Sequence, residues 1–149
     1  MLARLADVLR STCRGSDVLV RWGGEEFLVL QRFVDRAQAP ALAARLGAAV
    51  RETSFSLDGE PPLSLTCSIG FAAFPMTPDA TAADWPATVA LADEALYLAK
   101  SRRDAWVGVL RPAAGHAPPL GADPRTVLRD GGFEVLRSFA PEEDPADAN

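Results

Sequence analysis

Cysteine is rare in this chain, and long apolar runs are absent. The 149 residues include only two cysteines, Cys13 and Cys67, with neither a CxxC pair nor the spacing of a metal site, which excludes a secreted disulfide scaffold. We expect both to be small buried hydrophobic side chains in a reducing compartment. No apolar run reaches the roughly 18 residues that a membrane-spanning helix needs. We also expect no signal peptide, because the N-terminus is amphipathic.

Positive charge is limited as well. The chain has 15 Lys and Arg residues against 20 Asp and Glu residues, which gives a formal net charge of −5. Proteins that bind duplex nucleic acid normally present a basic face, so we expect no nucleic-acid partner. The composition of 48% hydrophobic and 23% charged residues is typical of a folded domain.

The spacing of apolar residues predicts alternating helices and strands. The predicted order is helix 2–12, strands on both sides of Gly23-Gly24, helix 36–53, a turn at Asp58-Gly59, strand 63–71, helix 81–103 and strand 105–110. The strand assignment for 63–71 depends on a strict alternation of apolar with small polar residues. This order predicts an α+β sandwich in which a mainly antiparallel sheet is flanked by helices.

The composition changes after Arg111. We therefore expect a domain over residues 1–110 and a C-terminal extension over 111–149, which begins as a linker rich in Pro, Ala and Gly. Residues 126–139 are predicted to form a small helix or hairpin that packs on the domain. The acidic last nine residues, 141–149, are predicted to be disordered.

The paired glycines predict a hairpin turn with two acidic residues beside it. Gly23 and Gly24 suit a two-residue turn in which both positions take positive φ. Glu25 and Glu26 follow, and glycines let a chemical group approach the backbone. These carboxylates could hold Mg²⁺ against a phosphate or accept a proton from an attacking hydroxyl. The residues alone also fit a solvated hairpin tip whose acids keep an edge soluble.

Four segments, in the same order, resemble the GGDEF domains of diguanylate cyclases. Residues 21–27, RWGGEEF, are similar to the family signature in its GGEEF form. Residues 14–17 (RGSD) resemble its RxxD site, 66–72 (TCSIGFA) its T-x-SIG-x-A strand, and 92–100 (ADEALYLAK) its AD-x-ALY-x-AK helix. The resemblance covers about residues 1–110 and implies the family's nucleotide-cyclase-like (ferredoxin-like) GGDEF fold.

The resemblance implies condensation of two GTP molecules into cyclic di-GMP with release of two pyrophosphates, in bacterial second-messenger signalling. Glu25 is implied as a metal ligand and proton acceptor for the 3′-hydroxyl, and Glu26 as a second group at the metal or the ribose. Gly23 and Gly24 would admit the nucleotide. The family further implies Mg²⁺ or Mn²⁺ as cofactor, a head-to-head homodimer, an upstream sensor domain and a cytoplasmic location.

Two basic residues resemble the family's phosphate-binding pair. The family's long helix usually ends with a Lys and an Arg four residues apart, with a glycine before the Arg. Here Lys100 is followed by Arg102 and Arg103 without the glycine, so the spacing to Arg103 is three. Arg103 is predicted to take the phosphate role, with Arg102 as the alternative. The same residues also fit a basic helix end that complements the helix dipole.

Arg14 and Asp17 resemble the family's inhibitory pair, which binds the product. A guanidinium suits phosphate and the guanine edge, and a carboxylate can accept hydrogen bonds from guanine nitrogens. The alternative is a structural turn that Asp17 caps while Arg14 lies in solvent. A non-catalytic cyclic di-GMP-binding regulatory module is therefore a second hypothesis for function, and a remnant without function is a third.

The family's domain begins before Met1. Its first strand, with an Asp-x-Asp stretch that supplies another Mg²⁺ ligand, has no counterpart here, nor do the Asn and Asp that read guanine. We expect a GGDEF fold lacking its first strand, from a C-terminal fragment, a frameshifted remnant or a mis-assigned start codon. Two carboxylates are few for octahedral Mg²⁺, and a missing central strand leaves unpaired backbone on both neighbours. We therefore expect the chain alone to be inactive and marginally stable.

The aromatic residues are predicted to be structural. Tyr97 lies among apolar helix positions and is expected in the core with a satisfied hydroxyl. Trp22 and Trp106 are expected to pack against neighbours, and His116, in the linker, is not expected to be catalytic.

Overall fold

A computed structural model describes residues 1–56, 61–76, 85–115 and 123–139. The chain divides into two compact units, Met1–Ser68 and Ile69–Asn149. The elements are α1 (Leu2–Thr12), β1 (Val18–Gly23), β2 (Glu26–Leu30), α2 (Ala39–Arg51), β3 (Ser54–Phe55), β4 (Leu63–Ser64), β5 (Ile69–Ala72), α3 (Trp85–Lys100), β6 (Trp106–Pro112), α4 (Pro124–Arg129) and β7 (Phe133–Arg137). The predictions for Asp58-Gly59, residues 81–84, His116 and the acidic tail lie outside the described residues. In the described part of the chain, no helix is long and apolar enough to span a membrane.

In the first unit, α1 and α2 pack against each other. Pro40 lies in the first turn of α2, where its missing N–H costs no helical hydrogen bond. The Arg45 guanidinium donates a hydrogen bond to the carbonyl oxygen of Thr12 over 3.3 Å. The buried side chains of the two helices are Val8, Leu9, Leu42, Ala43, Leu46 and Val50.

The second unit contains a three-stranded sheet in the order β5-β6-β7. β5 pairs with β6 in parallel, which requires the crossover that contains α3, and β6 pairs with β7 antiparallel. Together with the antiparallel pairs β1–β2 and β3–β4, this confirms the predicted α+β class with mainly antiparallel pairing. The core of this unit consists of Leu91, Ala95, Ala99, Val107, Val109 and Phe133.

Two glycines allow neighbouring elements of the second unit to approach closely. A Cβ at Gly70 of β5 would lie 2.1 Å from the backbone N of Leu96 and 2.2 Å from the carbonyl oxygen of Ala92. A Cβ at Gly108 of β6 would overlap the ring of Phe71. The backbone of β5 therefore lies directly against α3, with no room for a side chain between them.

The sequence predictions for two element bounds and for the burial of Tyr97 are wrong. Residues 63–71 are not one strand: β4 pairs with β3 and β5 pairs with β6, and residues 65–68 between them join neither ladder. α3 ends at Lys100, before Arg103 and Asp104, which take φ values of 53° and 45° that no right-handed helix accommodates. Tyr97 is 71% exposed.

Tyr97 is exposed because of its position on α3. The buried face of that helix is formed by Thr88, Leu91, Ala95 and Ala99. Residue 97 is two positions from both 95 and 99, which places it on the opposite side of the helix.

The predicted structured segment of the C-terminal extension forms both a helix and a strand. α4 is followed by β7, which adds to the edge of β6. An ion pair between Arg111 and Glu134 links the two strands. Four partly buried side chains of the segment pack on the core of the second unit: Val127, Leu128, Val135 and Phe139.

Within the described parts of the chain, only β6 has a strand partner on both edges. β2 pairs only with β1, and β5 pairs only with β6. The other edge of each strand therefore presents backbone N–H and C=O groups without a strand partner.

We predict that Gly70→Ala destabilises the second unit. The added methyl group meets helix backbone, which cannot rotate away, so the free energy of unfolding should fall by about 2 kcal/mol or more. Gly47→Ala in α2 is the control, because its Cβ would meet nothing within 4 Å and alanine favours the helix by about 0.5–1 kcal/mol. Urea denaturation of both variants measures the difference. Equal stability of Gly70→Ala and the wild type would show that β5 and α3 are not in this close contact.

Candidate functional site

The acidic residues lie at the tip of the β1–β2 hairpin. Gly23 pairs with Glu26, so the two-residue loop is Gly24-Glu25. Only Gly24 of these four has positive φ, at 49°. The prediction of a Gly23-Gly24 turn with positive φ at both glycines is therefore wrong by one position. Because the pairing register shifts between Arg21 and Gly23, Gly23 ends the strand and Glu25 lies in the turn itself.

Arg21 holds this turn through its guanidinium group. Its Nε and Nη2 donate hydrogen bonds of 2.9 and 2.7 Å to the carbonyl oxygen of Gly24. The side chain thus bridges the strand and the peptide unit that precedes Glu25. No role is predicted for Arg21 from the sequence, although an arginine three positions before the loop glycine is the available signal.

The tip offers two carboxylates beside open backbone. Glu25 is exposed and Glu26 is partly buried. A Cβ built at Gly23 or Gly24 would meet no atom within 4 Å, so the space beside the glycines is open to an approaching group. In the described residues, no cluster of three or more His, Cys, Asp or Glu side chains is arranged to hold a metal.

The donor chemistry of the tip fits Mg²⁺ in combination with a phosphate ligand. Carboxylate oxygens are hard donors, and Mg²⁺ is usually bound by one or two carboxylates together with waters and substrate phosphates rather than by a full protein cage. Glu25 and Glu26 supply that number of carboxylates on adjacent residues. They could therefore hold the ion of a metal–nucleotide complex, and on their own they are an incomplete ligand set.

One face of β1 is apolar and open to solvent. Val18 is 46% exposed, Val20 is 44% exposed and Trp22 is 61% exposed, and alternate residues of a strand share a face. The prediction that Trp22 is a packing residue is wrong in this structure. The corresponding prediction for Trp106 is confirmed, since its ring centroid lies 5.8 Å from that of Phe71.

The RGSD segment forms a turn that the Asp17 side chain closes. Asp17 Oδ2 accepts a hydrogen bond of 2.8 Å from the Arg14 N–H, and the Asp17 N–H donates one of 3.0 Å to the Arg14 carbonyl oxygen. Asp17 Oδ1 also accepts the Arg32 N–H over 3.3 Å. Asp17 therefore ties the entrance of β1 to the exit of β2, while the Arg14 residue is exposed. These contacts match the structural alternative for Asp17 and leave the Arg14 guanidinium accessible.

Cys13 lies next to this turn and is partly buried, as is Cys67, so both are more exposed than the buried side chains that were expected. Burial raises the pKa of the Cys13 thiol, and the negative charge of Asp17 raises it further against the opposing effects of Arg45 and Arg10. The thiol is accordingly less reactive than an ordinary exposed cysteine.

The predicted phosphate-binding residues belong to the second unit. Lys100 is the last residue of α3 and is exposed, as are Arg102 and Arg103 in the turn that follows. The Arg102 guanidinium carbon lies 5.7 Å from the ring centroid of Phe139. The structure thus groups Gly23, Gly24, Glu25 and Glu26 in one unit and Lys100 and Arg103 in the other.

Comparisons with known proteins agree with the signature segments. The family model "Diguanylate cyclase, GGDEF domain" matches residues 1–105. The chain is 39% identical over 100 residues to the diguanylate cyclase DgcP of Pseudomonas aeruginosa, a match that covers 67% of this chain and 14% of that protein. It is 32% identical over 100 residues to diguanylate cyclase A of Treponema denticola, covering 67% of this chain and 26% of the relative.

Solved structures give the same result. The diguanylate cyclase SiaD of Pseudomonas aeruginosa, solved in complex with its activator SiaC, is similar with a TM-score of 0.60 and 32% identity, over 74% of this chain and 38% of that one. The GGDEF domain of TpbB (YfiN) from the same species gives a TM-score of 0.58 and 31% identity, over 74% of this chain and 59% of that one. The chain thus spans about a quarter or less of the two curated relatives. It belongs to the GGDEF domain family of diguanylate cyclases.

Proposed function

We propose that this chain is the nucleotide-condensing part of a diguanylate cyclase, which joins two GTP molecules into cyclic di-GMP and releases two pyrophosphates. One observation carries the proposal: an exposed Glu25 and its neighbour Glu26 lie beside open glycine backbone at a turn held by Arg21. In a chain of this family, that arrangement suits a divalent cation and a triphosphate.

Each proposed role follows from chemistry. In each half-reaction the 3′-oxygen of one GTP attacks the α-phosphorus of the other, the 3′-hydroxyl loses its proton, and the bond to pyrophosphate breaks. Glu25, the exposed carboxylate in the turn, accepts that proton or binds the metal, and Glu26 assists at the metal or the ribose. Mg²⁺ or Mn²⁺, when bound, would neutralise the charge that develops on the attacking and leaving oxygens. Gly23 and Gly24 leave space for the nucleotide.

The remaining roles are proposed from the family. Lys100 and Arg103 bind the phosphates of GTP, because exposed cationic side chains suit that ligand. Two copies of the domain act together, since each binds one of the two GTP molecules. We also propose control by a sensor domain and a cytoplasmic site of reaction, where GTP is available.

The 149-residue chain by itself is expected to be inactive. Glu25 and Glu26 are few ligands for Mg²⁺, and β2 and β5 each have an edge without a strand partner among the described residues. Cyclic di-GMP formation by the purified chain would refute this expectation and would confirm the cyclase directly.

A chimera tests the proposed activity. Residues 1–105 of this chain would replace the matching segment of Pseudomonas aeruginosa DgcP, and cyclic di-GMP formation from Mg²⁺-GTP would be measured. We expect the chimera to be active and Glu25→Gln to lower kcat by roughly 100-fold or more, because the proton acceptor or metal ligand is lost.

Asp35→Asn, a charge change of the same kind at a carboxylate that caps the short helical turn before α2, is the matched control and should retain activity within about twofold. An inactive but folded chimera, or full activity of the Glu25→Gln variant, would contradict the proposed function.

A second candidate function, product binding, is favoured by the exposed Arg14 beside the turn closed by Asp17. We expect calorimetry of the chain with cyclic di-GMP to show binding that Arg14→Ala weakens roughly tenfold, because a charge-assisted contact to phosphate is lost. Arg4→Ala, at an exposed arginine of α1, is the control and should bind like the wild type. Equal binding by wild type and Arg14→Ala, or no binding by either, would refute this function.

A further inference from the structure

The turn between α3 and β6 has two residues in an unfavourable backbone conformation. Arg103 and Asp104 both take positive φ, 53° and 45°, a region that residues with a Cβ rarely occupy. Such conformations cost free energy and persist only where surrounding contacts hold them. The helical hydrogen bonding ends here with the Arg102 N–H, which donates to the carbonyl oxygen of Ala99 over 3.1 Å.

Two adjacent residues of the C-terminal segment contact both ends of this turn. On its N-terminal side, the Arg102 guanidinium lies over the ring of Phe139, 5.7 Å from the centroid. On its C-terminal side, the Trp106 N–H donates a hydrogen bond of 2.8 Å to Ser138 Oγ. The Ser138 N–H in turn donates one of 3.0 Å to the Trp106 carbonyl oxygen.

The segment that makes these contacts is well anchored. β7 is hydrogen-bonded to β6 up to the pair Val107–Arg137, immediately before Ser138. Phe139 packs on the core of the second unit together with Val127 and Val135. Both residues therefore have fixed positions from which to hold the turn, and both lie outside residues 1–105, the part matched by the family model.

We propose that Ser138 and Phe139 form a clamp that positions Arg103 for phosphate binding. Phe139 keeps Arg102 on its ring, and Ser138 fixes the start of β6, so the strained residues between them hold one conformation. Of the two arginines, Arg103 then binds the phosphate and Arg102 is structural. Ser138 and Phe139 are positioning residues that act through Arg103. The phosphate part of this inference rests on the proposed function; the clamp does not.

The first experiment tests the clamp without nucleotide. Phe139→Leu keeps an apolar side chain in the core but removes the aromatic ring, and Ser138→Ala removes the acceptor of the Trp106 N–H. We expect each variant to speed amide hydrogen exchange at Arg102 roughly two- to fivefold, the size of a lost exposed cation–π contact or side-chain hydrogen bond. Arg137→Ala, at the exposed last residue of β7, is the control and should leave this rate unchanged. Unchanged exchange in both test variants would overturn the clamp.

The second experiment tests whether the clamp acts through Arg103. Affinity for Mg²⁺-GTP would be measured for the 149-residue chain, Phe139→Leu, Arg103→Ala and the double variant. We expect Arg103→Ala to weaken binding roughly tenfold or more, and Arg102→Ala only roughly two- to fivefold, because it removes the Arg102–Phe139 contact. Phe139→Leu should weaken binding roughly two- to fivefold in the wild type and have no further effect in Arg103→Ala, since Phe139 is proposed to act on binding only through Arg103.

The outcomes separate the clamp from the proposed function. Two results would overturn the phosphate-binding role of Arg103. One is that the effects of Phe139→Leu and Arg103→Ala on the binding free energy add in the double variant. The other is that Arg102→Ala lowers the affinity for Mg²⁺-GTP more than Arg103→Ala does. A wild-type chain that shows no Mg²⁺-GTP binding would count against the proposed function and the phosphate role of Arg103, while the exchange measurement would still decide whether the clamp exists.

Discussion

The Arg21 guanidinium makes two hydrogen bonds to the carbonyl oxygen of Gly24, and the position of the acidic tip depends on them. A two-residue hairpin loop has few other contacts that could hold it, because its residues lie in solvent. Gly24 adopts the positive φ that closes the turn, and Arg21 ties the resulting peptide unit to β1. Glu25 therefore lies in the turn and Glu26 at the start of β2, adjacent in sequence but in different surroundings. The Glu25 carboxylate is exposed to solvent and to a ligand, whereas Glu26, the first residue of β2, is partly buried.

In the second unit, two glycines determine how closely neighbouring elements can pack, because a glycine has no side chain to separate them. Gly70 brings the backbone of β5 against the backbone of α3, and Gly108 accommodates the ring of Phe71. The end of α3 carries Lys100 and leads into the turn with Arg103. The two residues that follow β7, Ser138 and Phe139, contact the two ends of that turn and lie outside the family-matched region. The C-terminal segment is thereby a structural component of this unit.

Much of the fold was predictable because the relevant signals are local. The helix at 2–12, the hairpin, the helix that begins near Pro40 and the strand at 105–110 all follow from periodicity and turn residues. The division of residues 63–71 into β4 and β5 was not predictable from local signals. Apolar and small polar residues alternate through the whole segment, and the two strands differ only in the strands with which they pair. Tyr97 was misplaced because an apolar helix such as α3 carries too few polar residues to mark its solvent face.

The candidate site was predictable in identity but less so in geometry. The glycines and glutamates are recognisable as a motif, yet the register shift that moves the loop to Gly24-Glu25 comes from strand pairing. The capping contacts of Asp17 depend on Arg32, 15 residues away. The contact between Arg102 and Phe139 was not predictable either, because the two residues are far apart in the sequence.

Paramagnetic broadening by Mn²⁺ measures most directly whether the hairpin tip binds a metal–nucleotide complex. With a non-hydrolysable GTP analogue present, substoichiometric Mn²⁺ should broaden the amide NMR signals of Gly24, Glu25 and Glu26 and leave that of Gly47 in α2 sharp. Glu25→Gln should abolish most of that effect. If the amide signals of the tip stay sharp while amides elsewhere broaden, the metal–nucleotide complex does not bind at the hairpin tip, which would contradict the proposed site.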